Sequence, residues 1–225
     1  FLIMLMMIIN LAAYPLVVAA LEQSGAEAAR IQLVRNLWLL LAAGVPATLG
    51  MALFAPQIAS VVLGKSFREA GLTVIPWIAA ATLLAGVRSY YFDLAFQLGK
   101  QTTGQLWVVG SSAVVNFVFN VVLIPRAGIL GAAWATIAAY AVALLLSVLL
   151  GRRVFTVPMS WKGAGHVLLA AAAMVLCWYL VPTGETPWSV IAHLVSVVLI
   201  YCITLFLLHT HWQHRFPFAV GGRRD

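Results

Sequence analysis

The chain has 225 residues, 64% of them hydrophobic and 8% charged, with a formal net charge of +7. Its mean hydropathy is +1.03. A soluble domain carries roughly 25% charged residues, and no core of this size absorbs such a deficit, so lipid is expected to be the solvent for much of the surface. The positive balance does not point to nucleic acid, because the basic residues fall in short stretches between apolar runs, the pattern of membrane topology.

A spanning helix needs about 20 predominantly apolar residues. Seven segments meet this, at 1–20, 37–63, 72–98, 105–124, 128–150, 164–182 and 188–208. All are expected to be helices, since an open sheet would strand backbone polar groups in hydrocarbon. The expected fold class is therefore an all-α polytopic membrane bundle. Residues 1–150 would form one five-helix lobe, residues 151–208 two additional spans, and residues 209–225 a tail. The chain opens on Phe1, already apolar, without Met or a charged leader. Residue 1 is thus expected to be a cut through a longer protein.

The first segment gives way to LEQSGAEAARIQLVRN, whose Glu22, Glu27, Arg30 and Arg35 predict an interfacial linker at 21–36. Pro46 and Pro56 in the second segment, and Pro76 near the start of the third, predict kinks. The third segment holds Arg88 and Asp93 within its span. The fourth carries Ser112, Asn116 and Asn120 at i, i+4, i+8, on one helix face. Pro125 is expected to stop this helix, and Arg126 and Gly128 to make a tight turn. The fifth places Gly131, Ala135, Ala139 and Ala143 at the same spacing, a small-residue ridge for close helix packing. Cys177 and Cys202 would differ in depth by roughly 15 Å, too far for a disulfide.

Orientation follows from the basic residues. Arg30, Arg35, Lys100, Arg152, Arg153, Lys162, Arg215, Arg223 and Arg224 fall on one side, against Lys65, Arg68 and Arg126 on the other. The first set, and with it the C-terminus, is expected in the cytoplasm.

Charges inside a span are costly and mark functional sites by default. For Arg88 two readings stand: snorkelling to the interface, or a cavity-facing guanidinium that binds an anionic headgroup such as a phosphate. At helical spacing Arg88 and Asp93 lie on different faces, so their partners are expected from other helices. Asn116 and Asn120 are either polar cavity lining or interhelical contacts, and the structural role is favoured. His193 is expected to be a packing or hydrogen-bonded residue. His209, His211 and His214 form HxHxxH without carboxylate or cysteine company, so a metal site is disfavoured. No nucleophile elbow, phosphate loop or zinc spacing is present in the sequence. The side opposite the basic set offers only Glu69 and Glu185 as acids, so an enzyme is not expected, and no cofactor is implied.

The stretch NFVFNVVLIPRAGILGAAWATIAAYAVALLLSVLLGRR resembles bacterial polysaccharide exporters of the multidrug/oligosaccharidyl-lipid/polysaccharide superfamily. It matches that family's N-x(3)-N-x(3)-IP, short turn and G-x-x-G-A-A-x-A-T. YPLVVAALEQSGAEAARIQLVRN and LGKSFREAGLTVIPWIAAATLLAG resemble neighbouring family pieces in the same order, so the likeness covers about residues 10–155. The resemblance implies the C-terminal half of a two-lobe transporter of about fourteen helices, in the bacterial inner membrane. It also implies flipping of a polyprenyl-diphosphate-linked oligosaccharide, with membrane lipids and an N-terminal half of the same protein as partners. No binding residue carries over from the family; Arg88, Asp93, Asn116 and Asn120 are candidates on physical grounds alone. The alternatives are a cation-coupled multidrug antiporter on the same fold and a membrane enzyme of cell-envelope synthesis.

Overall fold

The computed structural model describes residues 1–181 and 186–215, without the side chains of 187 and 211–215. Among the described residues it is helical throughout, with no strand. Its helices are α1 (Leu2–Leu53), α2 (Ala55–Val62), α3 (Arg68–Val87), α4 (Leu94–Leu98), α5 (Thr103–Gly151), α6 (Trp161–Leu180) and α7 (Pro187–Arg215). A π-turn, Arg88–Phe92, joins α3 to α4. Among the described residues, five helical stretches are long and apolar enough to cross a membrane: Leu2–Leu53, Lys65–Leu98, Thr103–Gly151, Trp161–Leu180 and Trp188–Thr210. The surface matches that composition, with Leu11, Leu106, Trp107 and Phe117 each about 70% exposed. Such a surface is consistent with an all-α, multi-pass membrane protein.

The two longest helices are hairpins. Along a straight helix, with about 1.5 Å rise per residue, Ala13 and Asn36 would lie roughly 35 Å apart. Instead the Asn36 side-chain amide donates to the Ala13 carbonyl at 3.1 Å. The reversal is at Gly25, whose φ of 83° and ψ of −174° are non-helical. In α5 the Ser112 hydroxyl donates to the Ala139 carbonyl at 3.1 Å, and the reversal is at Gly128, with φ 56° and ψ −135°. Both turns need a positive φ, which a residue without a Cβ adopts freely.

These reversals correct one expectation and sharpen another. Residues 21–36 are helical on both sides of the reversal at Gly25. Pro125 does not stop its helix, which continues past it to Gly128. A proline this close to a helix end removes one hydrogen bond and then has little helix left to disrupt. The backbone of α1 is non-helical at Gly25 and not at Pro46, while Pro76 lies within α3. Pro56 occupies the first turn of α2, a position that tolerates its missing N–H. The helix breaks at Phe54, two residues before Pro56, in keeping with the kink expected there.

The chain divides into two units, Phe1–Ser160 and Trp161–Asp225. In the first, α3 packs against both α1 and α5. Its core joins Met6 and Val17 from one arm of α1, Leu33, Leu37 and Leu40 from the other, and Tyr91, Phe92 and Leu94 after α3. Met6 is fully buried against Gly44 and Gly86, where a side chain would take its space. Gly131, Ala135, Ala139 and Ala143 are all buried, as a packing ridge requires. In the second unit α6 packs on α7. There the buried His193 ring stands edge-on to Trp178, with centroids 4.6 Å apart. Cys177 and Cys202 are free thiols.

The ridge makes an expected contrast. A Cβ at Gly131 would run into the Leu123 backbone, whereas one at Gly110 meets nothing within 4 Å. Gly131→Ala should lower stability in a thermal melt of the detergent-solubilised protein, by about 1–3 kcal/mol. Gly110→Ala should leave it unchanged or raise it by up to about 1 kcal/mol.

Candidate functional site

The charged cluster in unit 1 begins with the backbone. Five residues along a regular helix turn a side chain by about 140°, away from its starting face. At Arg88–Phe92 the helix widens into a π-turn, and the Asp93 N–H donates to the Arg88 carbonyl at 2.9 Å. That i to i+5 bond stacks Asp93 over Arg88. The Arg88 Nη1 and Asp93 Oδ2 atoms lie 3.7 Å apart. The expectation that these residues face apart is therefore wrong, because it assumed a helical period that the backbone abandons at this point.

Asp93 is fully buried, and the Arg88 side chain is 14% exposed. From α5, the Ser147 hydroxyl donates to Asp93 Oδ1 at 2.6 Å, and the Gln105 side chain bears on the same carboxylate. Arg88 Nη2 donates to its neighbour Ser89 Oγ at 2.8 Å. Arg88 Nε and Asp93 Oδ2 are buried and accept or donate no hydrogen bond. At 3.7 Å the ion pair is longer than a charge-assisted hydrogen bond of about 2.7–2.9 Å. The carboxylate is thus held from one side by Ser147, and the guanidinium is left with donors to spare.

Ser147 was not among the residues singled out from sequence, although a signal existed. It continues the ridge Gly131, Ala135, Ala139, Ala143 by one more step of four, and it is 1% exposed. A polar residue interrupting a row of small apolar ones marks where the neighbouring helix brings something polar. Tyr91 is the second such residue: it is fully buried, and its hydroxyl donates to the Pro158 carbonyl. Asn36 is the third. It is 2% exposed, donates to Ala13 and accepts from the Gln32 amide at 3.1 Å.

Tyr91 ties the π-turn to the segment that follows α5. Arg30 ties the same segment to α1: its Nη2 donates to Thr156 Oγ1 at 2.8 Å, and its guanidinium sits 5.8 Å from the Phe155 ring centroid. Arg30 also pairs with Glu27 at 3.1 Å.

Asn116 and Asn120 occupy a different place. The Asn120 amide donates to Asn116 Oδ1 at 2.9 Å along their shared helix. Both line a shallow open groove of about 480 Å³ with Phe117, Val121 and Ile124. Neither Arg88 nor Asp93 lines that groove. Ser112, one turn away, is buried and serves the hairpin through its bond to Ala139. The side chains of His211 and His214, the Glu185 position and the tail 216–225 lie outside the described residues. Comparison with protein families, with curated proteins and with solved structures finds no match to this chain.

Removing one member of a buried pair strands the other, at a cost of about 3–5 kcal/mol. Arg88→Met should therefore destabilise the protein strongly in a detergent melt, and adding Asp93→Asn should recover part of the loss. A double variant as unstable as the sum of the two single changes would mean that the groups are not coupled.

Proposed function

We propose that this chain is the C-terminal lobe, with two further helices, of a transporter that flips a polyprenyl-diphosphate-linked oligosaccharide across the bacterial cytoplasmic membrane. The observation that carries the reading is Arg88: a guanidinium inside a membrane-length apolar helix, 14% exposed and held only loosely, at 3.7 Å, by its carboxylate partner. A planar fork of N–H groups suits the oxygens of a phosphate. The resemblance of residues 10–155 to polysaccharide exporters supplies the substrate class. Counting each arm of α1 and α5 separately, with the α3–α4 stretch, α6 and α7, would make seven spans and place the C-terminus in the cytoplasm by the distribution of Lys and Arg. Together with a second lobe, the helices would rock about a central cavity that opens alternately to each side. Arg88 would neutralise part of the headgroup charge while the lipid tail stays in the bilayer, and Asn116 and Asn120 would give polar lining to a separate groove.

A second reading, a cation-coupled antiporter on the same fold, is favoured by one feature. Asp93 is a fully buried carboxylate in the same span, the kind of group that ion coupling uses. The two readings separate in cells. Arg88→Ala, combined with Asp93→Asn so that no buried carboxylate is left unpaired, should abolish surface polysaccharide while protein levels stay normal. Normal polysaccharide output from that variant contradicts the flippase reading. A fluorescent protein fused after Asp225 should be bright and a phosphatase fused there inactive; the opposite pair of results would reverse the orientation.

A further inference from the structure

We infer that Asp93 is an internal counter-ion that limits how tightly Arg88 holds a diphosphate group, and that Ser147 sets the strength of that limit. The inference rests on the anion-binding reading of Arg88. It starts from charge: the two side chains together are neutral, so an anion approaching the exposed edge of Arg88 meets a dipole and not a full positive charge. The pair is also loose. Arg88 has five N–H donors, of which one reaches Ser89 at 2.8 Å. Nε reaches no acceptor, and Nη1 stops 3.7 Å from Asp93 Oδ2. Nε is buried, so an incoming acceptor would meet the Nη1/Nη2 end, where no short bond to Asp93 has to be broken first.

The carboxylate is held back from α5, chiefly by Ser147, which engages Oδ1 at 2.6 Å, with the Gln105 side chain beside it. The asymmetry of burial, with Asp93 at 0% and Arg88 at 14%, sets the direction: of the two groups, Arg88 keeps some exposure and the carboxylate keeps none. A carrier must bind its cargo firmly enough to take it up and weakly enough to let it go, as conduction sites do. An unopposed guanidinium in a low-dielectric setting would hold a diphosphate too long. Asp93 supplies the opposition, and Ser147 keeps that opposition partial.

Two substitutions should then act in opposite directions. Asp93→Asn keeps the size of the side chain and an oxygen for Ser147 but removes the opposing charge, so anion affinity rises. Ser147→Ala removes the only hydroxyl restraint on Oδ1 and lets the carboxylate close on Arg88, so affinity falls. Simple loss of structure would lower affinity in both. The experiment measures binding of undecaprenyl diphosphate to the full-length protein in detergent micelles by calorimetry, with inorganic diphosphate in a parallel arm. Asp93→Asn should bind about tenfold more tightly than wild type and Ser147→Ala about threefold more weakly, a tenfold change being about 1.4 kcal/mol. Arg88→Ala should show no saturable binding. Saturable binding of the lipid alone assigns the site to a lipid headgroup, and saturable binding of inorganic diphosphate alone assigns it to free diphosphate; the opposed shifts are required in either case. The inference is overturned if Asp93→Asn, with its melting transition intact, binds no more tightly than wild type. It is equally overturned if Ser147→Ala binds as tightly as wild type or more so, and this second variant decides alone if Asp93→Asn does not fold. Wild-type binding by Arg88→Ala would instead overturn the anion role of Arg88 itself, a separate result.

Discussion

The structure of the first unit turns on one backbone hydrogen bond, from the Asp93 N–H to the Arg88 carbonyl. It adds a residue to one helical turn and thereby rotates a carboxylate onto the same face as a guanidinium. Without it Asp93 would point about 140° away from Arg88, in a bundle that has little to offer a buried charge. With it, one fully buried acid and one nearly buried base neutralise each other inside an apolar core. The surrounding contacts depend on the same turn. Ser147 reaches the carboxylate from α5, and Tyr91, within the turn, anchors the segment after α5 through Pro158. The α3–α4 stretch, α5 and the segment after α5 thus meet at Arg88, Tyr91, Asp93, Ser147 and Pro158.

The close approach that this cluster needs is built elsewhere. Residues Gly131, Ala135, Ala139 and Ala143 are buried at steps of four along one arm of α5, and Ser147 stands at the next step. Small side chains let backbones come near enough for a short Ser side chain to reach a neighbour's carboxylate. The glycine reversals at 25 and 128 fold α1 and α5 back on themselves, and Asn36 and Ser112 fasten the two arms with hydrogen bonds to carbonyls that regular helix leaves accessible. In an apolar solvent such bonds gain nothing from hydrophobic exclusion, and packing and polar pairing must hold the hairpins together.

Much of the fold was legible in the sequence because membrane-length apolar runs are a strong signal, and the ridge of small residues was legible for the same periodic reason. The turns were read less well. Pro125 is a conspicuous helix breaker, yet the chain reverses at Gly128, because what a reversal needs is a positive φ and not merely a missing N–H. The charges at 22–35 suggested a linker; the stretch is helical on both sides of Gly25, and a polar stretch can remain so when its side chains find partners, as Arg30 does with Glu27 and Thr156. The pairing of Arg88 with Asp93 was hidden for a deeper reason. Periodicity arguments presume one period, and a π-turn is a local change of period with no residue signature of its own. Arg88 and Asp93 were visible as candidates; their relation to each other and to Ser147 was not.

The central claim is therefore a distance, and it can be measured directly in lipid. Asp93 and Asp225 are the chain's two aspartates. With Asp225 replaced by Asn, labelling Asp with 13C at Cγ and Arg with 15N at the guanidinium leaves a single carboxyl to observe by rotational-echo double-resonance NMR in bilayers. The π-turn predicts strong dephasing of the Asp93 carboxyl signal by an arginine nitrogen about 4 Å away, abolished by Arg88→Met. An undephased signal, as expected for two residues about 140° apart on a regular helix, would contradict the account.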